Sequence, residues 1–192
     1  ILAVMAFYSR DPIGQARRLP RDRATQRFWL NIVIASIPAG VVGFVLRDVI
    51  TQALYTPVVV GIALVVGGVV LLLVERRPLP VRVTMPEHIT TPQALLIGVA
   101  QMTALIPGVS RAAASIVGGM LTGLDRKTAT SFSFYLAMPL LGAATVYQLF
   151  SELRKGLLDF SHLPVFLLGA GAAFVVAWVV VGWLLRYVAS RD

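Results

Sequence analysis

The chain has 192 residues, of which 57% are hydrophobic and 14% charged, and its mean hydropathy is +0.81. This composition excludes an ordinary soluble domain and indicates an integral membrane protein. The net charge of +8 does not indicate a nucleic-acid partner, because 6 of the 17 Lys and Arg residues fall within residues 9–27, a bias typical of a cytoplasmic loop. The absence of cysteine excludes disulfides and thiol chemistry.

Four apolar runs are long enough to cross about 30 Å of hydrocarbon as helices. They cover approximately residues 28–46, 57–74, 130–150 and 163–185. The first residues, Ile1 to Tyr8, are also apolar but too short for a span, and no initiating methionine precedes them. We interpret them as the tail of a helix and the sequence as a fragment. Residues 1–192 are therefore predicted to form a single membrane domain, an all-α polytopic helix bundle.

A fifth apolar segment, residues 93–122, is interrupted near its middle by Pro107 and Gly108. Its halves have 14 and 13 residues, so each would extend about 20 Å as a helix, too short to cross. The segment is either one long kinked helix that crosses, or a re-entrant hairpin that returns to the face where it entered. The hairpin places 13 Lys and Arg residues on one side and 3 on the other, whereas the crossing helix gives 11 and 5. The positive-inside rule favours the re-entrant hairpin.

The middle of this segment has the residue types of an anion site. Ser110 is a good N-cap for the second half-helix, and the amides of Arg111, Ala112 and Ala113 would then lack intrahelical acceptors. These amides, the helix dipole and a guanidinium that can bond two oxygens favour phosphate. The alternative is a simple kink with a routine cap, in which Arg111 extends towards the membrane surface. Because a charge inside a membrane is costly, we favour the anion site.

Two further polar residues lie near Arg111. Ser115, one turn later, is placed to reach the same anion or to pack. Gln101, two turns before the interruption, needs a hydrogen bond either within the bundle or to the bound group. His88 and His162 have no carboxylate or second histidine at ligand spacing, so these residues predict no metal site.

The stretch ALLIGVAQMTALIPGVSRAAASIVGGMLTGLDRKTATSFSFYLAMP, from Ala94 to Pro139, resembles the BacA-type undecaprenyl-diphosphatase family. The shared features are the glutamine, the P-G-x-S-R core, the small-residue helix, the basic turn and the FSF…P span. The resemblance implies a multi-pass enzyme of the bacterial plasma membrane that hydrolyses undecaprenyl diphosphate, the lipid carrier of cell-wall synthesis, and confers bacitracin resistance. It also implies a re-entrant hairpin that is the second half of an inverted repeat.

The resemblance assigns roles to five residues. Ser110 and Arg111 match the catalytic pair, and Gly108, Ser115 and Gln101 are assigned to substrate binding, with Ser115 standing where a threonine is usual. A prenyl diphosphate lipid is the implied substrate. A divalent cation, Mg or Ca, and a homodimer are implied by the resemblance alone.

The sequence departs from the family in two ways. Ala112 and Ala113 replace the usual serine and glycine after the arginine. The family's earlier, inverted hairpin, with its acidic or amide pair and histidine, would lie before Ile1, so we expect these 192 residues alone to have little or no activity. A transporter or flippase of a phosphate-bearing lipid is the rival function, because broken helices also bind anions in secondary transporters.

Overall fold

The computed structural model describes Ala3 and residues 22–77, 79–155 and 163–189. Its long helices are α1 (Arg23–Val45), α2 (Pro57–Glu75), α3 (Thr91–Met102), α4 (Arg111–Leu121), α5 (Arg126–Arg154) and α6 (Leu163–Ala189). Shorter helical segments occupy Arg47–Val49, Ile50–Leu54, Pro86–His88 and Thr103–Leu105. The predicted helix tail at the start of the chain lies, apart from Ala3, outside the described residues.

Four helices, α1, α2, α5 and α6, are long and apolar enough to cross a membrane. The described residues contain no β-strand, so the predicted all-α membrane fold class is confirmed. Two of these helices begin before their apolar runs because a carboxylate caps them. Asp22 Oδ1 accepts from the amide of Ala24 at 3.0 Å, and Asp125 Oδ1 accepts from the amide of Thr128 at 2.7 Å.

The chain divides into two compact units. The first is Arg21–Leu136, and the second combines Ala137–Asp192 with Ile1–Pro20. The first unit contains α1 to α4 and the beginning of α5. In the second unit, α6 exposes most of its large apolar side chains, as a lipid-facing helix does. That residues 1–192 act as a single domain stays a prediction.

Helices α3 and α4 form an antiparallel hairpin within the first unit. At its open end, Gln93 Nε2 donates to the carbonyl of Thr122 at 2.9 Å. Further along, a Cβ added to Gly118 would lie only 2.6 Å from the Cβ of Ala100, so the two helices pack almost backbone to backbone. The chain therefore doubles back between α3 and α4. Its re-entrant position in a membrane stays a prediction.

The open end of the hairpin is held by a short backbone pairing, which we call the hairpin base. The amides of Arg82 and Val83 both donate to the carbonyl of Gly123, at 2.8 and 3.1 Å. The amide of Asp125 returns a bond to the carbonyl of Val83 at 3.0 Å. One segment before α3 and one segment after α4 are thus tied together.

Helix α1 packs tightly against α3. A Cβ on Gly98 would lie 2.3 Å from the carbonyl oxygen of Ala35, closer than any side chain allows. Asn31 Nδ2 donates to the carbonyl of Ile89 at 2.7 Å, and Asn31 Oδ1 accepts from Thr91 Oγ1 at 3.0 Å. These contacts fix the first half-helix on α1 and therefore position the residues that follow it.

Candidate active site at the hairpin tip

The turn between the two hairpin helices lies against α2. Gly108 has φ +98°, a conformation that a side chain disfavours, and an added Cβ would lie 2.6 Å from the carbonyl oxygen of Val60. Val60 stands 15 residues before Glu75, about 22 Å along the helix. Glu75 itself bonds Arg126, beside the hairpin base, at 2.9 Å. The tip and the base thus lie near opposite ends of α2.

Helix α4 begins at the tip with an N-cap serine. Ser110 has extended backbone angles, and its Oγ accepts from the amide of Ala113 at 3.3 Å, while the amide of Ala114 donates to the Ser110 carbonyl at 2.9 Å. The amides of Arg111 and Ala112 have no acceptor among the described residues. Two free amides therefore remain at the positive end of the helix dipole, where the sequence predicted three.

Arg111 is the first residue of α4 and is half-buried. Its Nη1 atom is buried and has no hydrogen-bond partner among the residues that the structure describes. The ion pairs among the described residues involve other cations, at Arg126 and Lys155. A buried guanidinium donor without an acceptor is costly, and an anion at the tip would supply the missing acceptor.

Ser115 lies one turn into α4 and is 1% exposed. Its Oγ lies 3.0 Å from the carbonyl of Arg111 and 2.6 Å from Ser133 Oγ on α5. Either serine could donate across the 2.6 Å contact; because Ser115 has a single proton, both of its contacts are hydrogen bonds only when it donates to its own helix and accepts from Ser133. In this arrangement the Ser115 hydroxyl is engaged inside the helix bundle.

Gln101 is 2% exposed on α3, and its Nε2 is buried without a hydrogen-bond partner. Three residues before it, Gly98 faces α1, and one residue before it, Ala100 faces α4. The side chain therefore belongs to the layer between α1 and α4. With Arg111 Nη1 and Gln101 Nε2, Trp29 Nε1 is the third buried side-chain donor without a partner in the described part of the chain.

The structure brings three of the predicted residues, Gly108, Ser110 and Arg111, together at the tip. Ser115 is connected to the tip through the Arg111 carbonyl, and Gln101 lies on the facing half-helix. The sequence did not reveal that Ser133 contacts Ser115. Its only signal was a serine in the stretch SFSFY, because a partner 18 residues away on another helix leaves no periodic pattern.

The described residues do not fit a divalent cation. No group of three or more His, Cys, Asp or Glu side chains occurs among them, and the tip offers amide and guanidinium donors instead of the oxygen ligands that Mg or Ca takes. The donors at this part of the tip favour an anion over a cation.

Comparison with known proteins adds the decisive observation. Residues 1–192 match the family described as bacitracin resistance protein BacA. The chain belongs to this family. Its BacA relatives include the undecaprenyl-diphosphatase of Albidiferax ferrireducens, 45% identical, and undecaprenyl-diphosphatase 1 of Burkholderia lata, 46% identical, each over 196 residues. An undecaprenyl-diphosphatase of Deinococcus deserti is 45% identical over 193 residues.

Each of these three alignments covers 100% of the chain and 70% of the relative. The BacA family and the four membrane-length helices make the chain a multi-pass bacterial membrane protein. The resemblance noted from the sequence is confirmed.

Proposed function

We propose that this BacA protein hydrolyses undecaprenyl diphosphate to undecaprenyl phosphate and inorganic phosphate. Water adds to the terminal phosphorus, the bridging P–O bond breaks, and the lipid phosphate leaves with the electrons of that bond. The single observation that carries the site assignment is the buried, unpartnered Nη1 of Arg111 beside two free helix amides. Relatives named undecaprenyl-diphosphatase support the reaction.

The proposed binding mode follows from the donors at the tip. Arg111 and the amides of Arg111 and Ala112 bond the non-bridging oxygens of the diphosphate, where negative charge is shared in the transition state. Gly108 lets the backbone approach closely, and a side chain there would strain the turn and collide with α2. Apolar surfaces such as that of α2 lie free to contact the prenyl chain.

Ser110 is proposed to act as a hydrogen-bond partner of the phosphate. Its oxygen already accepts from Ala113 N, and its proton remains available to a phosphate oxygen. No His, Asp or Glu in the described part of the chain bonds the Ser110 hydroxyl, so these residues supply no base to make it a nucleophile. Gln101 remains a proposed substrate contact, whereas Ser115, whose hydroxyl is engaged by its own helix and by Ser133, is proposed to act on the substrate through the first turn of α4.

The test is phosphate release from undecaprenyl diphosphate by purified full-length protein in detergent, where no membrane gradient exists. Turnover is expected, and Arg111→Ala should abolish it in a protein that still folds. Substrate binding without phosphate release would contradict the proposed hydrolysis. It would support the alternative function, a transporter or flippase of a phosphate-bearing lipid, which no similar protein favours. Expression in a sensitive bacterium should also raise bacitracin tolerance.

Two assignments rest on the family resemblance alone. A divalent cation would be revealed by loss of phosphate release in EDTA and its recovery with Mg or Ca. The described residues do not fit such an ion, so the proposed binding mode uses only their own donors. A homodimer would be revealed by the protein mass of the detergent-solubilised particle.

A further inference from the structure

We infer that Ser133 is a positioning residue for the anion site, acting through Ser115 on the first turn of α4. The inference rests on the proposed function, because it concerns the same site. It adds a residue that does not contact the substrate and lies on a different helix from the tip. Its evidence is a chain of hydrogen bonds that runs from α5 to the backbone of Arg111.

The first link is the pair of serine hydroxyls. Ser115 and Ser133 are 1% and 7% exposed, and their oxygens are 2.6 Å apart. A short O–H···O contact out of water is a well-formed bond. Within the described part of the chain Ser133 has no other hydrogen-bond partner, whereas Ser115 also reaches carbonyls of its own helix. The arrangement that satisfies both groups has Ser133 donating and Ser115 accepting.

The second link is the bond from Ser115 to the start of α4. Its proton is shared between the carbonyls of Arg111, at 3.0 Å, and Ala112, at 3.1 Å. A serine that bonds back to the preceding turn bends the helix slightly and changes the direction of its peptide groups. The Arg111 and Ala112 carbonyls belong to the turn whose amides face the anion. Ser133 thus holds the Ser115 proton on that turn and fixes its geometry.

Positioning of this kind acts on the transition state more than on binding. The free amides and Arg111 remain present without Ser133, so the ground-state complex still forms. Their alignment with the developing charge is poorer, because a small displacement from the productive geometry is costly. A hydrogen bond of ordinary net strength then corresponds to a decrease in kcat of about 3- to 10-fold, with KM within about twofold of wild type.

The matched pair of variants is Ser133→Ala and Thr130→Val in the full-length protein. Each removes one buried hydroxyl from the first turns of α5 with little change in side-chain volume. Thr130 Oγ1 donates to the carbonyl of Arg126, at 2.7 Å, and makes no hydrogen bond to α4 among the described residues. Similar decreases in thermal stability are expected for both variants, whereas only Ser133→Ala should lower kcat. Ser133→Thr, which keeps the donor, should restore it.

A double-mutant cycle on kcat provides the second measurement. Because Ser133 acts through Ser115, the double variant Ser115→Ala, Ser133→Ala should have the same kcat as Ser115→Ala alone. Additive losses in the cycle, or equal kcat for Ser133→Ala and Thr130→Val, would overturn the inference. If Ser133→Ala does not fold, Ser133→Cys, with a weaker donor of similar shape, replaces it in the same comparisons. A wild-type protein that releases no phosphate would instead contradict the proposed function.

Discussion

The planar guanidinium of Arg111 can donate to two phosphate oxygens at once, and the proposed site depends on that shape. Arg111→Lys keeps the charge but replaces the planar group with a compact, strongly hydrated ammonium. We expect Arg111→Lys and Arg111→Ala to be almost equally inactive, each about a hundredfold or more below wild type, because a donor aimed at the transition state contributes about 2.7–4 kcal/mol.

Phosphate release by purified protein measures both Arg111 variants. Arg126→Lys is the control, because Arg126 pairs with Glu75 in an exposed contact and should tolerate the change. A lysine variant at Arg111 with most of the wild-type rate would show that only the charge matters. Arg111 would then be an arginine that reaches the membrane surface.

Gln101 and Asn31 are two buried side-chain amides that differ in how completely they are hydrogen-bonded. Asn31 is bonded through both of its polar side-chain atoms, whereas Gln101 Nε2 has no hydrogen-bond partner in the described part of the chain. An unpaired buried amide costs about 1–3 kcal/mol, so Gln101→Met should leave the thermal stability unchanged or raise it, while Asn31→Leu should lower it. If Gln101 donates to the charged substrate, Gln101→Met should also raise KM at least about tenfold.

Thermal unfolding without substrate and steady-state kinetics test the two halves of this expectation. A Gln101→Met protein that is clearly less stable than wild type would show that Gln101 has a structural partner. An unchanged KM would remove Gln101 from the set of substrate contacts.

The contact between α1 and α3 leaves no room for a side chain at Gly98. Gly98→Ala would place a Cβ against the Ala35 carbonyl, and backbone cannot move aside as a flexible side chain can. We expect a loss of stability of about 1–3 kcal/mol or more. Gly61→Ala on α2 is the control, because an added Cβ meets nothing within 4 Å there and alanine favours the helix. Equal unfolding temperatures for the two variants would contradict this packing.

The hairpin has a testable topology in the membrane. If it is re-entrant, the segments at its base lie on one face and the loop after α1 lies on the other. The chain has no cysteine, so single cysteines at Thr84, Lys127 and Tyr55, all exposed, report these positions without background. An impermeant thiol reagent should label Thr84→Cys and Lys127→Cys from one side and Tyr55→Cys from the other. Labelling of Thr84→Cys and Lys127→Cys from opposite sides would contradict the re-entrant hairpin.

The long helices were predictable because each needs only a run of apolar residues, and that run is local in the chain. Their ends were less predictable, since the start of α1 depends on the cap at Asp22. The N-cap at Ser110 and the position of Arg111 at the start of α4 were predictable because the two residues are adjacent in the chain. That they bind an anion stays a prediction, based on the general cost of a membrane arginine. Three features depend on contacts with other helices, so no local sequence pattern predicts them. They are the close approach of Gly98 to α1, the Ser115–Ser133 hydrogen bond and the missing hydrogen-bond partner of Gln101 Nε2 within the described residues.

The hairpin base also constrains the order of events during synthesis. The backbone bonds of Arg82 and Val83 can form only after Gly123 and Asp125, about 40 residues later, have been synthesised. A nascent chain that ends before Gly123 can contain all of α3 and α4 but cannot form the hairpin base. Contacts so distant in sequence form late and slowly. The hairpin base thus closes only after Asp125 has been synthesised, and a truncation just before Gly123 removes this closure while every tip residue is still present.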